Sequence, residues 1–296
     1  MNSPRDLRRR IRSITGTAQI TRAMQMVAAS KMRKAQQAAT DAQGFARLLY
    51  RLQRSAVTAA PEFHHPLLDA RPVHTRAVIL VASDKGLCGA LNTNVFRLAS
   101  QFDPATTRFI TAGRRAAQFV ARSRRQLAAE FAYGDTPTFP QARAMATMAR
   151  DLFVRKEVDE VRLVATRFVN TLTQEPVLFE FLPVGAIASL EIPGVASGRA
   201  DGVADQANAA LTQGEAVFEP SAEAVLGYLL ERYLNIYMYI TLLNAKASEQ
   251  SARMVSMKNA TDSAEDLIRD LRLEYNKLRQ GNITKELLEI AGGQAE

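Results

Sequence analysis

The sequence predicts an α/β domain inserted between two very long helices that pack against each other as a coiled coil. Two long segments, one near each end of the chain, lack proline and carry apolar residues mostly three or four positions apart. Between them, short runs of β-branched and apolar residues alternate with helical patterns, which is typical of an open, at least partly parallel sheet. A chain of 296 residues is long enough to bury such a core.

The first helix is predicted from Arg5 to Ala60, where no proline and only two glycines occur. Ser3, Pro4 and Asp6 form a good start, because a capping hydroxyl, an early proline and an early acidic side chain all favour a helix N-terminus. The expected contact seam consists of Leu7, Ile11, Ile14, Ala18, Met24, Val27, Met32, Ala35, Ala39, Ala42, Phe45, Leu49 and Leu52.

The last helix is predicted from Ser221 to Leu288, which corresponds to a length on the order of 100 Å. Helices of that length are unusual inside compact domains, so we expect the two long helices to lie on each other. The alternative is a bundle of several shorter, kinked helices. The expected seam consists of Val225, Leu229, Tyr233, Ile236, Ile240, Leu243, Ala247, Met254, Met257, Thr261, Ala264, Ile268, Leu271, Tyr275 and Leu278.

The middle of the chain predicts four strands and at least two helices. A basic helix ending at Arg125 and an amphipathic helix over 142–154 separate them, and 190–213 is predicted as a loop because of its glycines. This alternation predicts a Rossmann-like α/β domain over 74–214, between helical domains at 1–60 and 218–290. The predicted strands are 76–83, 107–113, 160–170 and 177–183.

Composition excludes several classes of protein. With 47% hydrophobic and 23% charged residues, the chain is typical of a globular protein. Its single cysteine, Cys88, excludes an intramolecular disulfide and a cysteine-based zinc cage. No apolar stretch approaches the about 18 residues of a membrane-spanning helix, so we expect a soluble, unexported protein.

Positive charge is concentrated at the N-terminal end. Residues 1–57 contain twelve basic and two acidic residues, whereas the rest contains 26 basic and 28 acidic residues. A basic helix of this kind suits an acidic protein partner, an anionic membrane surface or nucleic acid. One hypothesis is therefore a mechanical or adaptor protein, and the alternative is a basic coiled-coil nucleic-acid-binding or scaffold protein. No base-reading motif is present, which favours the first hypothesis.

No catalytic, cofactor-binding or metal-binding residue is predicted. The glycine-rich phosphate loop of nucleotide hydrolases and the dinucleotide-binding glycine pattern are both missing from the sequence. Cys88 follows a strand, but a nucleophilic cysteine needs a base, and the histidines His64, His65 and His74 lie in the connector before the sheet. We therefore interpret Cys88 as a structural residue of the turn.

Several motifs, in order along the chain, resemble the gamma subunit family of F-type ATP synthases. They are the N-terminal segments 6–11 and 20–36, the turn 83–89, the segment 247–262 and the C-terminal segments 275–280 and 283–286. The resemblance spans nearly the whole chain, although 103–217 carries little of it. It implies an antiparallel coiled coil of the terminal helices, with the α/β domain as a foot.

The resemblance also implies a function and a set of partners. The family forms the central rotor shaft of a ring of three alpha and three beta subunits, one copy per complex, beside the epsilon subunit and the membrane c-ring. It couples proton or sodium flow to ATP synthesis or hydrolysis by rotation and carries no catalytic site. By resemblance we expect no cofactor, no nucleic acid, and a peripheral position on the cytoplasmic side of a bacterial inner membrane.

The resemblance further implies contact residues at two places. The residues matching beta-subunit contacts are Met24, Ser30, Lys31, Glu249, Arg253, Arg279, Gln280 and Thr284. Those matching the part of the foot that faces the c-ring and epsilon are Ser83, Asp84, Lys85 and Gly86. The chain departs from the usual family pattern at Gln25, Lys285, Leu288 and Ala291, and in the stretch 244–246, where Lys246 stands.

Overall fold

A computed structural model describes residues 3–60, 63–185, 219 and 221–292. Its first and last helices are α1 (Pro4–Ala59, 56 residues) and α5 (Ala222–Gly292, 71 residues). The predicted α/β class with long terminal helices is confirmed, and the loop predicted at 190–213 lies outside the described residues. The elements between the long helices are β1 (Arg76–Val81), α2 (Leu91–Ala99), β2 (Thr107–Ala112), α3 (Arg114–Arg122), β3 (Gln126–Phe131), α4 (Phe139–Val154), β4 (Glu160–Phe168) and β5 (Gln174–Leu182).

The chain divides into two compact units. The two-helix unit consists of Met1–Ala29 and Arg253–Glu296, and the α/β unit consists of Ser30–Ala252. Each boundary falls inside a long helix, so α1 and α5 each contribute to both units. This division differs from domain limits placed at the ends of the helices.

In the two-helix unit, α1 and α5 run antiparallel. The Arg8 guanidinium donates to the Tyr275 hydroxyl at 2.7 Å, and the Thr21 and Thr261 hydroxyls are 2.7 Å apart. Partner numbers therefore fall along α5 as they rise along α1. Between these pairs, an apolar cluster of Ile11, Ile14, Ala18, Ala264 and Ile268 closes the interface. The antiparallel pairing implied by the resemblance is observed.

The buried face of α1 corrects the predicted seam. Val27, Phe45 and Leu52 are exposed, so their assignment to the seam is wrong. The buried residues keep helical spacing, with intervals of three, four, seven and eleven, and most of them are small, which lets packed elements approach closely. Every residue of the seam predicted for α5 is buried or half-buried. Among the described side chains of α1, the buried ones are Leu7, Ala18, Thr21, Ala28, Met32, Ala35, Ala39, Ala46, Leu49 and Ala56.

The α/β unit contains a five-stranded sheet in the order β3-β2-β1-β4-β5. The first four strands in this order are parallel, and β5 pairs antiparallel with β4. Side chains of β1 alternate between two cores, as expected for a strand buried on both faces. Ala77 and Ile79 face α4 and the long helices, whereas Val78 and Leu80 face α2 and α3. The long helices thus form part of one layer over the sheet.

Candidate functional site

The carboxyl ends of β1 and β4 meet the long helix α5. The order of the strands reverses between these two, and open α/β sheets usually bind ligands in the crevice outside this point. Here Cys88, which follows β1, packs with Leu91 against Ala252 of α5. The Ser251 hydroxyl of α5 also donates to the carbonyl of Thr171, after β4, at 2.7 Å. Side chains of α5 therefore pack at the strand ends where open α/β sheets usually bind a ligand.

In the turn after β1, the side chains of Ser83 and Asp84 form hydrogen bonds with other groups of this chain. The Ser83 hydroxyl donates to the Lys85 carbonyl and accepts from the Asn92 amide, both at 2.7 Å. Asp84 accepts the backbone N–H of Arg114 at 3.0 Å, at the start of α3, where an anionic side chain is favoured. Lys85 is exposed. Of the four predicted foot residues, Lys85 is the one whose charged side chain extends to the surface.

Gly86 permits a close approach within the same turn. A Cβ at this position would lie 3.1 Å from a guanidinium nitrogen of Arg115. The next residue, Leu87, has a φ of 64° and is exposed. The turn thus combines a tight backbone with an apolar side chain in solvent.

Two of the predicted beta-contact residues belong to a charged cluster inside the α/β unit, which we call the Asp135 cluster. Asp135 lies between β3 and α4, and its carboxylate accepts a hydrogen bond from Lys31 of α1 at 2.5 Å. Lys246 of α5 lies 3.8 Å from the other carboxylate oxygen and forms an ion pair with Glu249 at 2.9 Å. Lys246 also lies 5.3 Å from the centre of the Tyr133 ring.

Burial differs sharply across the Asp135 cluster. The side chains of Lys246 and Glu249 are 1% and 3% exposed, whereas those of Lys31 and Asp135 are 35% and 51% exposed. The hydrogen bond from Lys31 is the largest influence on the pKa of Asp135 and lowers it; partial burial opposes this effect, and the charges of Lys246, Lys31 and Lys85 reinforce it. Asp135 is therefore ionised at neutral pH.

The remaining predicted beta contacts differ in accessibility. Ser30 is exposed, Met24 is half-buried and Arg253 is buried. Arg279 and Gln280 are exposed, as is Thr284, whose hydroxyl donates to the Gln280 carbonyl at 2.9 Å. Side chains near the C-terminal end of α5 are therefore accessible to a partner, whereas Glu249 and Arg253 are enclosed by the chain itself.

Sequence reasoning missed Asp135, Tyr133 and the role of Lys246. Lys246 carried a signal, because it lies in a stretch that departs from the family pattern and follows the mostly apolar run 236–243 of α5. Asp135 and Tyr133 flank Gly134 in a segment that reads as a simple turn. Their role depends on contacts that are distant in sequence.

Cys88 and His65 have structural surroundings. Cys88 is buried and its sulfur accepts a hydrogen bond from the Asn92 amide at 3.3 Å. His65 stacks on Phe63, and its Nδ1 accepts the backbone N–H of Leu67 at 3.3 Å. Among the described residues, no group of three or more His, Cys, Asp or Glu side chains could hold a metal ion. No helix in that part of the chain is both long and apolar enough to span a membrane.

Comparisons with known proteins identify the class. A family model described as "ATP synthase" matches residues 3–295. The ATP synthase gamma chain of Opitutus terrae is 42% identical, with 99% of this chain and 98% of the relative covered. The gamma chain of Methylacidiphilum infernorum is 39% identical, with 99% of each chain covered.

Solved structures show the same fold. A chain of the central stalk and c-ring structure of the Tetrahymena thermophila mitochondrial ATP synthase is similar with a TM-score of 0.57 and 25% identity. That match covers 81% of this chain and 99% of the other. A chain of the Euglena gracilis mitochondrial ATP synthase matches with a TM-score of 0.64 and 19% identity, covering 98% and 93%.

Together, a domain inserted between long antiparallel helices and a match over the whole chain define a component of the ATP synthase central stalk. The chain belongs to the gamma subunit family of F-type ATP synthases. The alternative of a basic nucleic-acid-binding coiled coil has no support from these comparisons.

Proposed function

We propose that this chain is the non-catalytic rotor shaft of an ATP synthase and transmits torque between a membrane c-ring and the beta subunits. The observation that carries the proposal is that the chain is 42% identical to a gamma chain over nearly its full length. The antiparallel pairing of the 71-residue helix α5 with α1 agrees with it. A paired helix of this kind is stiffer than a single helix, as transmission of torque requires.

The proposed mechanism is conformational. Rotation of an asymmetric shaft presents different surfaces in turn to three beta subunits, and each surface favours a different state of the beta site. ATP chemistry then takes place on beta, and this chain contributes differential contacts and no reacting group. The coupling ion is a proton or a sodium ion. The groups that bind it belong to the c-ring, so this chain does not select between the two.

The proposed partners are the alpha and beta subunits, the epsilon subunit and the c-ring, with one copy of this chain per complex. The proposed position is peripheral, on the cytoplasmic side of a bacterial inner membrane. The similar gamma chains of Opitutus terrae and Methylacidiphilum infernorum come from bacteria, which supports a bacterial setting. The basic end of the chain suits acidic segments of beta, because opposite charges speed association and orient it.

The proposed beta contacts are strongest at Arg279, Gln280 and Thr284, because these residues are exposed. Met24, Ser30, Lys31, Glu249 and Arg253 remain proposed contacts, and the burial of Glu249 and Arg253 makes their substitution a test of folding as well. For the turn Ser83–Gly86 we propose contact with epsilon or the c-ring, mainly through Lys85.

The first experiment is co-expression with the alpha and beta subunits of the same organism. We expect a complex with one copy of this chain per three alpha–beta pairs, which hydrolyses ATP steadily only when this chain is present. Failure to assemble, together with salt-sensitive binding of the isolated chain to DNA or RNA, would overturn the proposal.

The same complex tests the contact residues. Arg279→Ala together with Gln280→Ala removes one charged side chain and one amide, and the loss of one charged hydrogen bond corresponds to about tenfold in rate. We expect ATP turnover to fall by that order with assembly intact. Arg122→Ala, which removes an exposed arginine of α3, is the control. Unchanged turnover in the double variant would contradict the contact role of these residues.

A further inference from the structure

Asp135 is bound by one lysine from each long helix. Lys31 of α1 reaches one carboxylate oxygen at 2.5 Å, and Lys246 of α5 lies 3.8 Å from the other. Asp135 itself belongs to the segment between β3 and α4, so its position follows that of the sheet. A single carboxylate therefore joins three parts of the α/β unit that are distant in sequence.

Lys246 contacts groups from two different parts of the chain. Its ammonium group forms an ion pair with Glu249, one helical turn further along α5. It also lies over the ring of Tyr133, and the Tyr133 hydroxyl donates to the carbonyl of Ala82, just after β1, at 2.9 Å. Since Lys246 and Glu249 are almost fully buried, their charges are little screened by solvent. The end of the central strand and the long helix are thus connected through polar groups.

These polar contacts differ in kind from the surrounding core. The long helices otherwise meet the sheet through apolar side chains such as Leu49 and Leu230, and apolar contacts are non-directional. Directional, charge-assisted hydrogen bonds keep their strength only at fixed geometry. The hydrogen bond from Lys31 therefore opposes sliding of α1 along the sheet more than an apolar contact of the same size does, and the ion pair of Lys246 with Asp135 at 3.8 Å adds an electrostatic attraction between α5 and the same carboxylate.

We propose that Asp135 is a positioning residue for torque transmission: bound by Lys31 and Lys246, it fixes the sheet to both long helices, so that force reaching the sheet is delivered to the helices without slip. This inference rests on the proposed rotor function. It concerns how the shaft is held by its own α/β unit, and it requires no contact of Asp135 with another subunit.

The test compares a loaded and an unloaded assay with the same variants. In the soluble complex with alpha and beta, hydrolysis places no load on the sheet, so Asp135→Asn is expected to leave turnover unchanged. In membrane vesicles with the whole synthase, ATP-driven ion pumping against a large gradient loads the sheet. There we expect Asp135→Asn to lower the ions pumped per ATP by about twofold, which lies within the range that the loss of a partly exposed ion pair allows.

Matched variants separate this role from general stability. Glu157→Gln is the control, because Glu157 pairs with Arg108 of β2 at 2.9 Å with similar exposure, and within the described part of the chain none of its hydrogen bonds goes to a long helix; it is expected to pump normally. Asp135→Glu keeps the carboxylate and is expected to restore most of the pumping. If Asp135→Asn fails to fold, Asp135→Ser, which also removes the charge at this half-exposed position, is expected to show the same selective loss under load.

The outcomes are distinct. Equal losses in the loaded and unloaded assays, or normal pumping by Asp135→Asn and Asp135→Ser at every gradient, would overturn the positioning role. A wild-type chain that fails to support hydrolysis with alpha and beta would instead overturn the proposed function. That result is known before any variant is compared, so the two failures cannot be confused.

Discussion

At the scale of single residues, Gly113 shows how the α/β unit depends on one backbone position. It joins β2 to α3 with a φ of 94°, in the left-handed region that favours glycine. A Cβ at this position would collide with the carbonyl oxygen of Ala82 and lie 3.2 Å from the Tyr133 ring. The same two residues connect β1 to the Asp135 cluster, so a shift here would reach that cluster.

We therefore expect Gly113→Ala to lower the free energy of unfolding of the chain by at least about 3 kcal/mol, because the strained φ and the backbone clash add. Urea unfolding followed by circular dichroism measures this. Gly44→Ala is the control: Gly44 lies inside α1 with no atom within 4 Å of an added Cβ, and the change is expected to stabilise by about 1 kcal/mol. Equal unfolding midpoints for wild type and Gly113→Ala would contradict the argument.

The contacts of single residues are also what the sequence predicts least well about the site. The resemblance selects Lys31 and Glu249 as contacts with another subunit, whereas both side chains are also held inside this chain. Lys31 and Asp135 are 104 positions apart, and no periodicity or motif links them. Local patterns give the face of a helix on which a residue lies, but a polar partner from another element depends on tertiary packing.

At the scale of elements, strands with a strong apolar pattern were predicted and one with a weak pattern was not. The strands β1, β2, β4 and β5 match the predicted runs within a few residues. The missed strand β3 is an edge strand with the mixed sequence QLAAEF, and three of its six residues are exposed. The other edge strand, β5, carries the apolar-rich run VLFEFL and is predicted, whereas β3 has little of the apolar, β-branched signal that marks a strand.

Asp159 joins two elements at the amino ends of the central strands. Its carboxylate, just before β4, accepts the backbone N–H groups of His74 and Thr75, just before β1, each at 3.0 Å. The N–H of Thr75 contributes most to lowering the pKa of Asp159, and that of His74 acts in the same direction. The ionised carboxylate therefore holds the starts of two neighbouring strands in register.

Asp159→Asn is expected to lower the free energy of unfolding by about 1 kcal/mol at pH 7, where charge-assisted hydrogen bonds are lost from a partly exposed site. A carboxylate with a lowered folded-state pKa stabilises fully above its unfolded-state pKa of about 3.9 and loses this as the pH falls through the folded-state value. The difference from wild type should therefore vanish in acid. Urea unfolding from pH 7 to pH 2 measures it, with Asp69→Asn, an exposed carboxyl, as the control; a difference independent of pH would refute the role.

At the scale of the whole molecule, charge is distributed so that one end of the chain is strongly basic. Residues 1–57 carry ten net positive charges, and the rest of the chain carries a small negative excess. Arg10 and Arg12 of α1 are both exposed. Exposed charges of this kind act mainly on the rate of association with an oppositely charged partner, and salt screens them.

We expect Arg10→Gln with Arg12→Gln to slow association with an alpha–beta hexamer severalfold at low salt and to leave dissociation nearly unchanged. Near 0.5 M salt, where charges are screened beyond about 4 Å, the rates should converge with those of the wild type. Stopped-flow fluorescence measures both. Arg122→Gln with Arg155→Gln removes the same charge from exposed positions of the α/β unit. Equal slowing by the two pairs would mean that only total charge matters, and no slowing by the first would mean that the basic end of α1 does not guide assembly.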